Sequence, residues 1–206
     1  MPDMKTISLH IVDDEELVRN SLVAVLQNAG YEVLALASGV EFLKALPDLN
    51  PDCVILDVRM PRMSGLAVLE IMKQNYPQIP IIMLSGFADV SMAVRAMKCG
   101  ASDFVEKPFQ TNDLLDTIKR VLETPSSGAK TVARANTEAL LSNLSKREVE
   151  VLSLLVQGKQ NKVVARDLEI SPRTVEVHRA RIMQRLGATS FAELVRLSVM
   201  FGLAVD

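Results

Sequence analysis

The sequence contains few of the residues that build disulfide scaffolds and metal clusters. Its 206 residues include two cysteines and two histidines, and Cys53 and Cys99 lack the close spacing of a cysteine metal site. A disulfide-rich secreted domain is therefore excluded, and we expect two buried, free thiols in a reducing compartment. The two isolated histidines suggest no metal role.

Long apolar runs are absent as well. No segment approaches the roughly 20 consecutive apolar residues that a membrane helix needs, and the opening residues MPDMK lack the apolar core of a signal peptide. We therefore expect a cytoplasmic protein with no membrane partner. The length exceeds that of one ordinary compact unit and suits two small domains.

Short apolar runs alternate with helical patterns in the first half of the chain. The runs cover residues 7–12, 54–56, 79–84 and 103–105, and a polar turn follows each one. This rhythm predicts a doubly wound parallel sheet, in which ligand sites lie at the carboxyl ends of the strands. The polar residues at those ends are Asp13, Asp14, Asp57, Ser85 and Lys107.

Three carboxylates at one sheet edge would repel one another unless a cation neutralised them. Mg2+ prefers oxygen ligands, and Lys107 adds a movable positive charge. Asp57 follows a buried-type run and precedes Pro61, which blocks an immediate helix, so a functional site is favoured there over a structural role. Asp14 and the two glutamates after it also fit the N-terminus of a helix, where their charge meets the helix dipole.

Asp57 has the chemistry of a phosphoryl acceptor. Attack of its carboxylate on phosphorus gives an acyl phosphate if the charge on the phosphoryl oxygens is neutralised. Mg2+ and Lys107 would supply that positive charge. The Ser85 hydroxyl can hydrogen-bond a phosphoryl oxygen, although a serine at a strand end also fits an ordinary turn.

Several motifs of this half resemble the receiver domain of bacterial response regulators. They are IVDDE at 11–15, LDVRMP at 56–61, MSG at 63–65, LSG at 84–86, AMKCGA at 96–101 and FVEKPF at 104–109. The resemblance implies a flavodoxin-like α/β fold with five parallel strands. It also implies that Asp57 receives a phosphoryl group from a sensor histidine kinase. The implied Mg2+ ligands are Asp13, Asp14, Asp57 and the backbone carbonyl of Arg59.

The same resemblance implies a switch. When the phosphoryl group draws the Ser85 hydroxyl inward, an aromatic residue on the fifth strand turns inward behind it, and Phe104 holds that position. Many receivers carry tyrosine there, so this chain would signal by packing alone, and Phe104 fits a plain core residue equally well. The helix at residues 90–98 and the last strand would then rearrange to form a dimer.

The composition changes after residue 123. Residues 124–129 read TPSSGA, which is typical of a linker. We therefore predict a receiver domain at 1–123, a linker at 124–141 and a second domain at 142–206. The first 123 residues carry 11 Lys and Arg against 17 Asp and Glu, whereas the remainder carries 12 against 8. A basic second half favours a polyanionic partner.

Four short helical patterns fill the second half. Ser145 with Glu148 forms a capping box for the first helix, and Ser171 caps the third, which ends at Gly187. The predicted helices cover about residues 146–157, 161–168, 172–186 and 190–202. Their order predicts a small all-α domain with a helix-turn-helix module.

The third helix has two distinct faces. Val175, Ile182 and Leu186, with Arg179 between them, repeat at the spacing of one stripe and should mostly pack inward. The other face can enter a major groove and touch base edges and thymine methyl groups, although it also fits an ordinary solvated surface. Its residues are Arg173, Glu176, Val177, Ala180, Arg181 and Gln184.

This half resembles the LuxR-type DNA-binding domain over about 65 residues. The matching residues are LSKREVEVL at 144–152, Gly158, NK at 161–162, ISPRTVEVH at 170–178 and Leu186. Together with the receiver, the chain resembles the FixJ-like transcription regulators. The DNA contacts that this implies are Lys162, Arg173, Thr174, Glu176, Val177, Ala180 and Arg181, with Lys162 on a phosphate.

Two residues of the third helix, His178 and Glu176, need separate interpretation. His178 belongs to the family pattern and fits either a packing residue or a DNA contact. Glu176 departs from the more basic residues often seen at its position. It therefore lowers the expected generic affinity and points to a specific base such as cytosine.

The resemblances imply a two-component response regulator rather than an enzyme. Phosphorylation would promote homodimerisation and binding to double-stranded promoter DNA, with RNA polymerase as a further partner and activation favoured over repression. A phosphatase would need a second acid where Arg59 stands, and a flavodoxin-like cofactor binder would need a phosphate loop where residues 13–16 would repel phosphate. A protein or RNA partner for the second half is the remaining alternative.

Overall fold

The computed structural model describes residues 6–86, 90–123, 143–188 and 191–200. These residues belong to two compact units, one within residues 1–87 and 99–124 and the other within 88–98 and 125–206. The predicted linker at 124–141 lies outside the described residues, so the domain bounds beside it stay predictions. None of the described helices has the length and apolar character to cross a bilayer.

The first unit is built on a parallel sheet of five strands in the order β2-β1-β3-β4-β5. The strands are β1 Ser8–Val12, β2 Glu32–Leu36, β3 Cys53–Asp57, β4 Ile81–Ser85 and β5 Asp103–Glu106. The predicted parallel sheet is therefore confirmed. The apolar runs did not locate β2, because this edge strand pairs only with β1 and is partly exposed, so it lacks a continuous apolar run.

Helices cover both faces of the sheet. Those of this unit are α1 Glu16–Asn28, α2 Gly39–Ala45, α3 Gly65–Asn75 and α5 Thr111–Glu123, with a 3-10 turn at Leu46–Asp48. Leu22 of α1 and Leu114 of α5 join one buried cluster with alternate residues of β1, β3 and β4. On the opposite face, Phe42 of α2 lies edge-on to His10, with ring centroids 6.5 Å apart.

The two cysteines differ in their surroundings. Cys53 is buried in the sheet, and burial raises the pKa of its thiol to about 12. Cys99 is only half-buried, and its Sγ lies 3.7 Å from Glu70 Oε1. Both thiols are free. The expectation of two buried thiols is thus wrong for Cys99, which follows a helix end near the surface.

The regular elements of the second unit are all helices in its described residues. Its helices are α4 Val90–Lys98, α6 Lys146–Val156, α7 Asn161–Asp167, α8 Pro172–Leu186 and α9 Phe191–Met200. The predicted capping box of Ser145 and Glu148 is confirmed, as are the N-cap Ser171 and the left-handed Gly187 that ends α8. A tight turn with Glu169 at φ 55° joins α7 to α8.

Candidate functional site

Asp57 ends the central strand β3 and is only 5% exposed. Its Oδ1 accepts a hydrogen bond of 2.7 Å from Lys107 Nζ, and its Oδ2 accepts one of 2.6 Å from the backbone N–H of Arg59. Burial raises the pKa of Asp57 above its ordinary value, against the opposing effect of Lys107. A carboxylate of raised basicity is a stronger nucleophile while it stays ionised.

Lys107 holds Asp13 beside Asp57. Its Nζ also donates a hydrogen bond of 2.7 Å to Oδ2 of Asp13, a residue with no exposed surface. Burial by itself would lower the pKa of Lys107, but its bonds to the two carboxylates outweigh that effect, and the pKa is raised. The ammonium group is therefore charged and partly neutralises both carboxylates.

The polar atoms of Asp13 are all engaged. Its backbone N–H donates to β2, and its carbonyl oxygen accepts a hydrogen bond of 2.7 Å from Arg19 Nη1. Its Oδ1 accepts from the backbone N–H of Glu15, and Lys107 binds its Oδ2. Asp14 is exposed and has no hydrogen bond or ion pair with any residue the structure describes. Asp13 is thus fixed in place, whereas Asp14 is free to turn.

The predicted metal ligands are only partly brought together. Asp13 and Asp57 share one ammonium group, but the described residues hold no group of three carboxylate, imidazole or thiol side chains placed to bind a metal ion. The Arg59 carbonyl belongs to the loop that directly follows Asp57. All these donors are hard oxygen atoms at one sheet edge, so their chemistry fits Mg2+ once Asp14 turns toward the other two.

Ser85 lies on β4, which pairs with β3, and Phe104 lies on β5, which pairs with β4. Ser85 is the buried last residue of β4, directly after Leu84, which is in register with Asp57. Phe104 is buried in β5 in register with Met83. Both predicted switch residues are therefore within two strands of the acceptor carboxylate.

Gly65 is a site residue that the sequence analysis named only as part of the MSG motif, without a role. A Cβ atom at this position would lie 2.0 Å from the carbonyl oxygen of Asp57, and the Gly65 N–H donates to the carbonyl of Val58 at 3.0 Å. Only glycine lets α3 begin so close to the Asp57 loop. The available signal was Ser64, the N-cap of α3, followed at once by glycine.

An apolar groove of about 630 Å³ lies between α1 and α5. Its lining includes Leu17, Val18, Leu22, Pro108, Phe109 and Leu114, and Lys107 also borders it. Leu17 is 86% exposed, and it borders this groove together with other apolar side chains rather than standing alone. Sequence reasoning missed this surface, although Leu17 stands outside the buried stripe that Leu22 begins.

In the second unit, α8 presents most of its predicted DNA contacts to solvent. Arg173, Glu176, Ala180 and Arg181 are exposed, as is Val177, and so is Lys162 on α7. Thr174 is half-buried, and its hydroxyl lies 2.8 Å from that of Ser171. The buried residues are Val175, Ile182 and Leu186, which confirms the inward stripe.

Four charged side chains on this face and beside it are free. Lys162, Arg173, Glu176 and Arg181 make no hydrogen bond or ion pair with a described residue. Other charged side chains pair within the fold, namely Arg147 with Glu150, Lys159 with Asp167 and Arg185 with Glu148. The free cations Lys162, Arg173 and Arg181 are therefore available to a polyanion.

His178 is placed for packing. It is half-buried, and its Nδ1 is buried without a hydrogen-bond partner among the described residues. This position favours the packing alternative over a DNA contact.

An acceptor carboxylate at the strand ends, joined in one chain to a helix-turn-helix unit with free cations, defines a two-domain regulator of DNA. Comparison with protein families agrees. Residues 9–119 match the response regulator receiver domain, and residues 142–198 match the bacterial regulatory proteins of the luxR family. The chain therefore belongs to the response regulators that carry a LuxR-type DNA-binding domain, and the predicted FixJ type is confirmed.

Relatives resemble this chain over nearly its whole length. The transcriptional regulatory protein FixJ of Rhizobium meliloti is 44% identical over 200 residues, which cover 97% of this chain and 98% of that protein. FixJ of Bradyrhizobium diazoefficiens is 41% identical over 199 residues, covering 96% and 97%. The crystal structure of full-length FixJ from B. japonicum is 39% identical with a TM-score of 0.55, and the match covers 95% of this chain and 97% of that one.

Proposed function

We propose that Asp57 accepts a phosphoryl group from the phosphohistidine of a sensor kinase, and that this modification controls binding to promoter DNA. The observation that carries the proposal is the buried Asp57 carboxylate, fixed 2.7 Å from Lys107 Nζ. Attack of a carboxylate oxygen on phosphorus forms the acyl phosphate as the bond between phosphorus and the histidine nitrogen breaks. Lys107 stabilises the charge on the transferred group.

Mg2+ completes the proposed site. Its ligands would be Asp13, Asp14, Asp57 and the carbonyl oxygen of Arg59, and when bound it neutralises charge on the phosphoryl oxygens. Asp13 is already fixed by its hydrogen bonds, whereas Asp14 is free to turn inward. The carboxylates of Asp13 and Asp57 would then be shared between Lys107 and Mg2+.

Ser85 and Phe104 transmit the modification in this proposal. The Ser85 hydroxyl donates a hydrogen bond to a phosphoryl oxygen on Asp57, and the space that it leaves is filled by movement of Phe104. Support comes from the burial of Ser85 on β4, which pairs with the strand of Asp57, and of Phe104 on β5, the next strand. Because Phe104 lacks a hydroxyl group, the response is one of packing only.

The groove between α1 and α5 is the proposed docking surface for the sensor kinase. It exposes Leu17 and borders Lys107, so an apolar partner helix seated in it would bring its phosphohistidine near Asp57. The kinase supplies the phosphoryl group, and the receiver supplies the attacking carboxylate.

The second unit is proposed to bind duplex DNA as a homodimer. Lys162, Arg173 and Arg181 would neutralise backbone phosphates, while Thr174 and Ala180 are short enough to allow close approach of α8 to the major groove. Two linked copies on a two-fold operator bind more tightly than one.

The complex would act in the cytoplasm with RNA polymerase as a further partner, and we expect it to activate transcription.

Phosphorylation with acetyl phosphate and Mg2+ tests the proposal. We expect intact mass to rise by one phosphoryl group, light scattering to show a shift from monomer to dimer, and affinity for duplex DNA to rise and to fall again with salt. Asp57→Asn should abolish all three effects, whereas Asp48→Asn, at an exposed aspartate, should leave them unchanged. Equal DNA binding with and without the phosphodonor would contradict the switch. Preference for RNA over duplex DNA would contradict the DNA-binding role.

A further inference from the structure

We propose that Glu176 and Val177 select a cytosine beside a thymine in the operator, and that Glu176 also weakens binding to all other DNA. The inference rests on the proposed binding of α8 to the major groove. Both residues occupy the middle of the exposed face of α8, with Arg173 one turn before Glu176 and Arg181 one turn after Val177.

Glu176 is a free negative charge on a surface that otherwise offers free positive charge. It makes no hydrogen bond or ion pair with the described residues, although Arg173 lies only three positions away. The carboxylates of α6 are both engaged, Glu148 with Arg185 and Glu150 with Arg147. Glu176 is therefore available to the DNA rather than to the fold.

A free carboxylate in the major groove discriminates strongly between bases. Phosphates repel it wherever no hydrogen-bond donor meets it, so it lowers affinity for DNA in general. The N4 amino group of cytosine is the donor that matches it. Adenine also offers an amino group, but its N7 acceptor stands beside that group and repels a carboxylate. Cytosine is therefore the base that relieves the repulsion.

Val177 supplies the second half of the selection. It is 44% exposed, and among the described residues of the second unit no other large hydrophobic side chain is exposed. Its branched side chain is stiff, because one χ1 rotamer is strongly preferred for valine in a helix. The apolar group that the major groove offers is the C5 methyl of thymine. Burying the valine against that methyl removes apolar surface of both partners from water.

The two residues reach neighbouring bases rather than one base. Consecutive residues of a helix are about 1.5 Å apart along its axis and about 100° apart around it, so their side chains diverge. Bases on one strand are stacked about 3.4 Å apart. The adjacent pair Glu176 and Val177 therefore matches adjacent base positions. Specificity then combines the apolar contact of Val177 with thymine and the repulsion between Glu176 and DNA, which only cytosine relieves.

Selection from a random duplex library tests the inference on the full-length protein, phosphorylated with acetyl phosphate in the presence of Mg2+. The proteins compared are wild type, Glu176→Gln, Val177→Ala and the control Glu150→Gln, which removes an exposed carboxylate outside α8. We expect the wild type and the control to enrich half-sites containing a cytosine next to a thymine. Glu176→Gln should lose the cytosine or replace it by adenine, and Val177→Ala should lose only the thymine preference.

The affinity of each protein for random-sequence duplex DNA is an independent test of the inference. Glu176→Gln should bind random-sequence duplex about fivefold or more tightly than the wild type, because it removes a charge that repels phosphate. A variant that is merely misfolded would bind more weakly, and thermal unfolding of each variant checks folding. The inference is overturned if Glu176→Gln keeps the cytosine preference or binds random duplex no more tightly. If the wild type enriches no sequence at all, the proposed DNA-binding function fails first.

Discussion

Asp57 and Lys107 form an ion pair of 2.7 Å although 50 positions separate them in the chain. Their side chains are 7% and 14% exposed, so the pair is shielded from water. The same Nζ is 2.7 Å from Asp13. This one ammonium group is therefore the counter-charge for two buried carboxylates, Asp13 directly after β1 and Asp57 at the end of β3.

Removal of that ammonium group should destabilise the receiver unit. We expect Lys107→Ala to lower the free energy of unfolding by about 3 to 5 kcal/mol, because it leaves two buried carboxylates uncompensated. Mg2+ should restore part of the loss, since it substitutes for the missing charge. Urea unfolding with and without Mg2+ measures both effects. Lys119→Ala, at an exposed position of α5, is the control and should change stability by less than about 0.5 kcal/mol. Equal losses in the two variants would refute the role given to Lys107.

Arg19 should act on Mg2+ through Asp13. Its Nη1 fixes the Asp13 carbonyl oxygen at 2.7 Å, which holds the acidic loop in place. We expect Arg19→Ala to weaken Mg2+ binding roughly 10-fold, the size typical of residues that orient metal ligands. Calorimetric titration of Mg2+ measures the affinity, and Asn20→Ala, at the exposed neighbour on α1, serves as control. Unchanged Mg2+ affinity in Arg19→Ala would show that the contact only stabilises the helix.

Glu148 should couple α6 to α8. Its Oε2 accepts hydrogen bonds from the backbone N–H and hydroxyl of Ser145 at 2.8 and 2.7 Å and from Arg185 Nη1 at 3.0 Å. We expect Glu148→Ala to cost about 2 kcal/mol or more in stability and Arg185→Ala about 1 kcal/mol. A double-mutant cycle by thermal unfolding should show a smaller loss for the double variant than the sum of the two. Additive losses would mean that the two residues act independently.

Features governed by local sequence or by strand order were predictable. Ser145 and Ser171 cap their helices through neighbours three residues away, so their roles follow from spacing alone. Asp13 and Asp57 meet because parallel strands bring their carboxyl ends to the same edge. The family motifs then supplied the function that these positions serve.

Features that depend on tertiary contacts to the backbone were not predictable. Arg19 binds a carbonyl oxygen, and Gly65 approaches the carbonyl oxygen of Asp57, and neither acceptor has a sequence signature because every residue carries one. Exposure of Leu17 depends on how α5 packs beside α1, which its own helical pattern does not contain.

Leu17 should matter to the kinase and not to small phosphodonors. We expect Leu17→Ala to slow phosphoryl transfer from a phosphorylated sensor kinase about fivefold or more, since an exposed apolar anchor in a docking groove carries much of the binding energy. Labelling by acetyl phosphate should be unchanged, because Leu17 does not contact Asp57, Lys107 or Asp13 in the hydrogen-bonded site. Rates of both reactions, followed by intact mass, separate docking from chemistry. A matched loss with acetyl phosphate would point to damage at the acceptor site instead.

His10 should make stability depend on pH. It is 3% exposed in β1, its Nε2 lies 3.4 Å from the Ser8 hydroxyl, and its Nδ1 is buried without a partner among the described residues. Burial lowers the pKa of His10 below the ordinary 6.5, although Glu32 and Asp52 oppose the shift. When the pH falls below 6.5, the imidazole of the unfolded chain therefore takes up a proton more readily than the imidazole of the folded chain.

The stability that neutral His10 contributes is consequently complete above its unfolded pKa and is lost as the pH falls from there through the lower folded pKa. We expect the free energy of unfolding in urea to decrease from about pH 7.5 to about pH 5.5, and to decrease less in His10→Leu, whose side chain cannot take up a proton. The leucine occupies the same apolar contact with Phe42 on the α2 face of the sheet. An equal decrease in both proteins would assign the pH dependence to other groups, because only the variant lacks the buried imidazole.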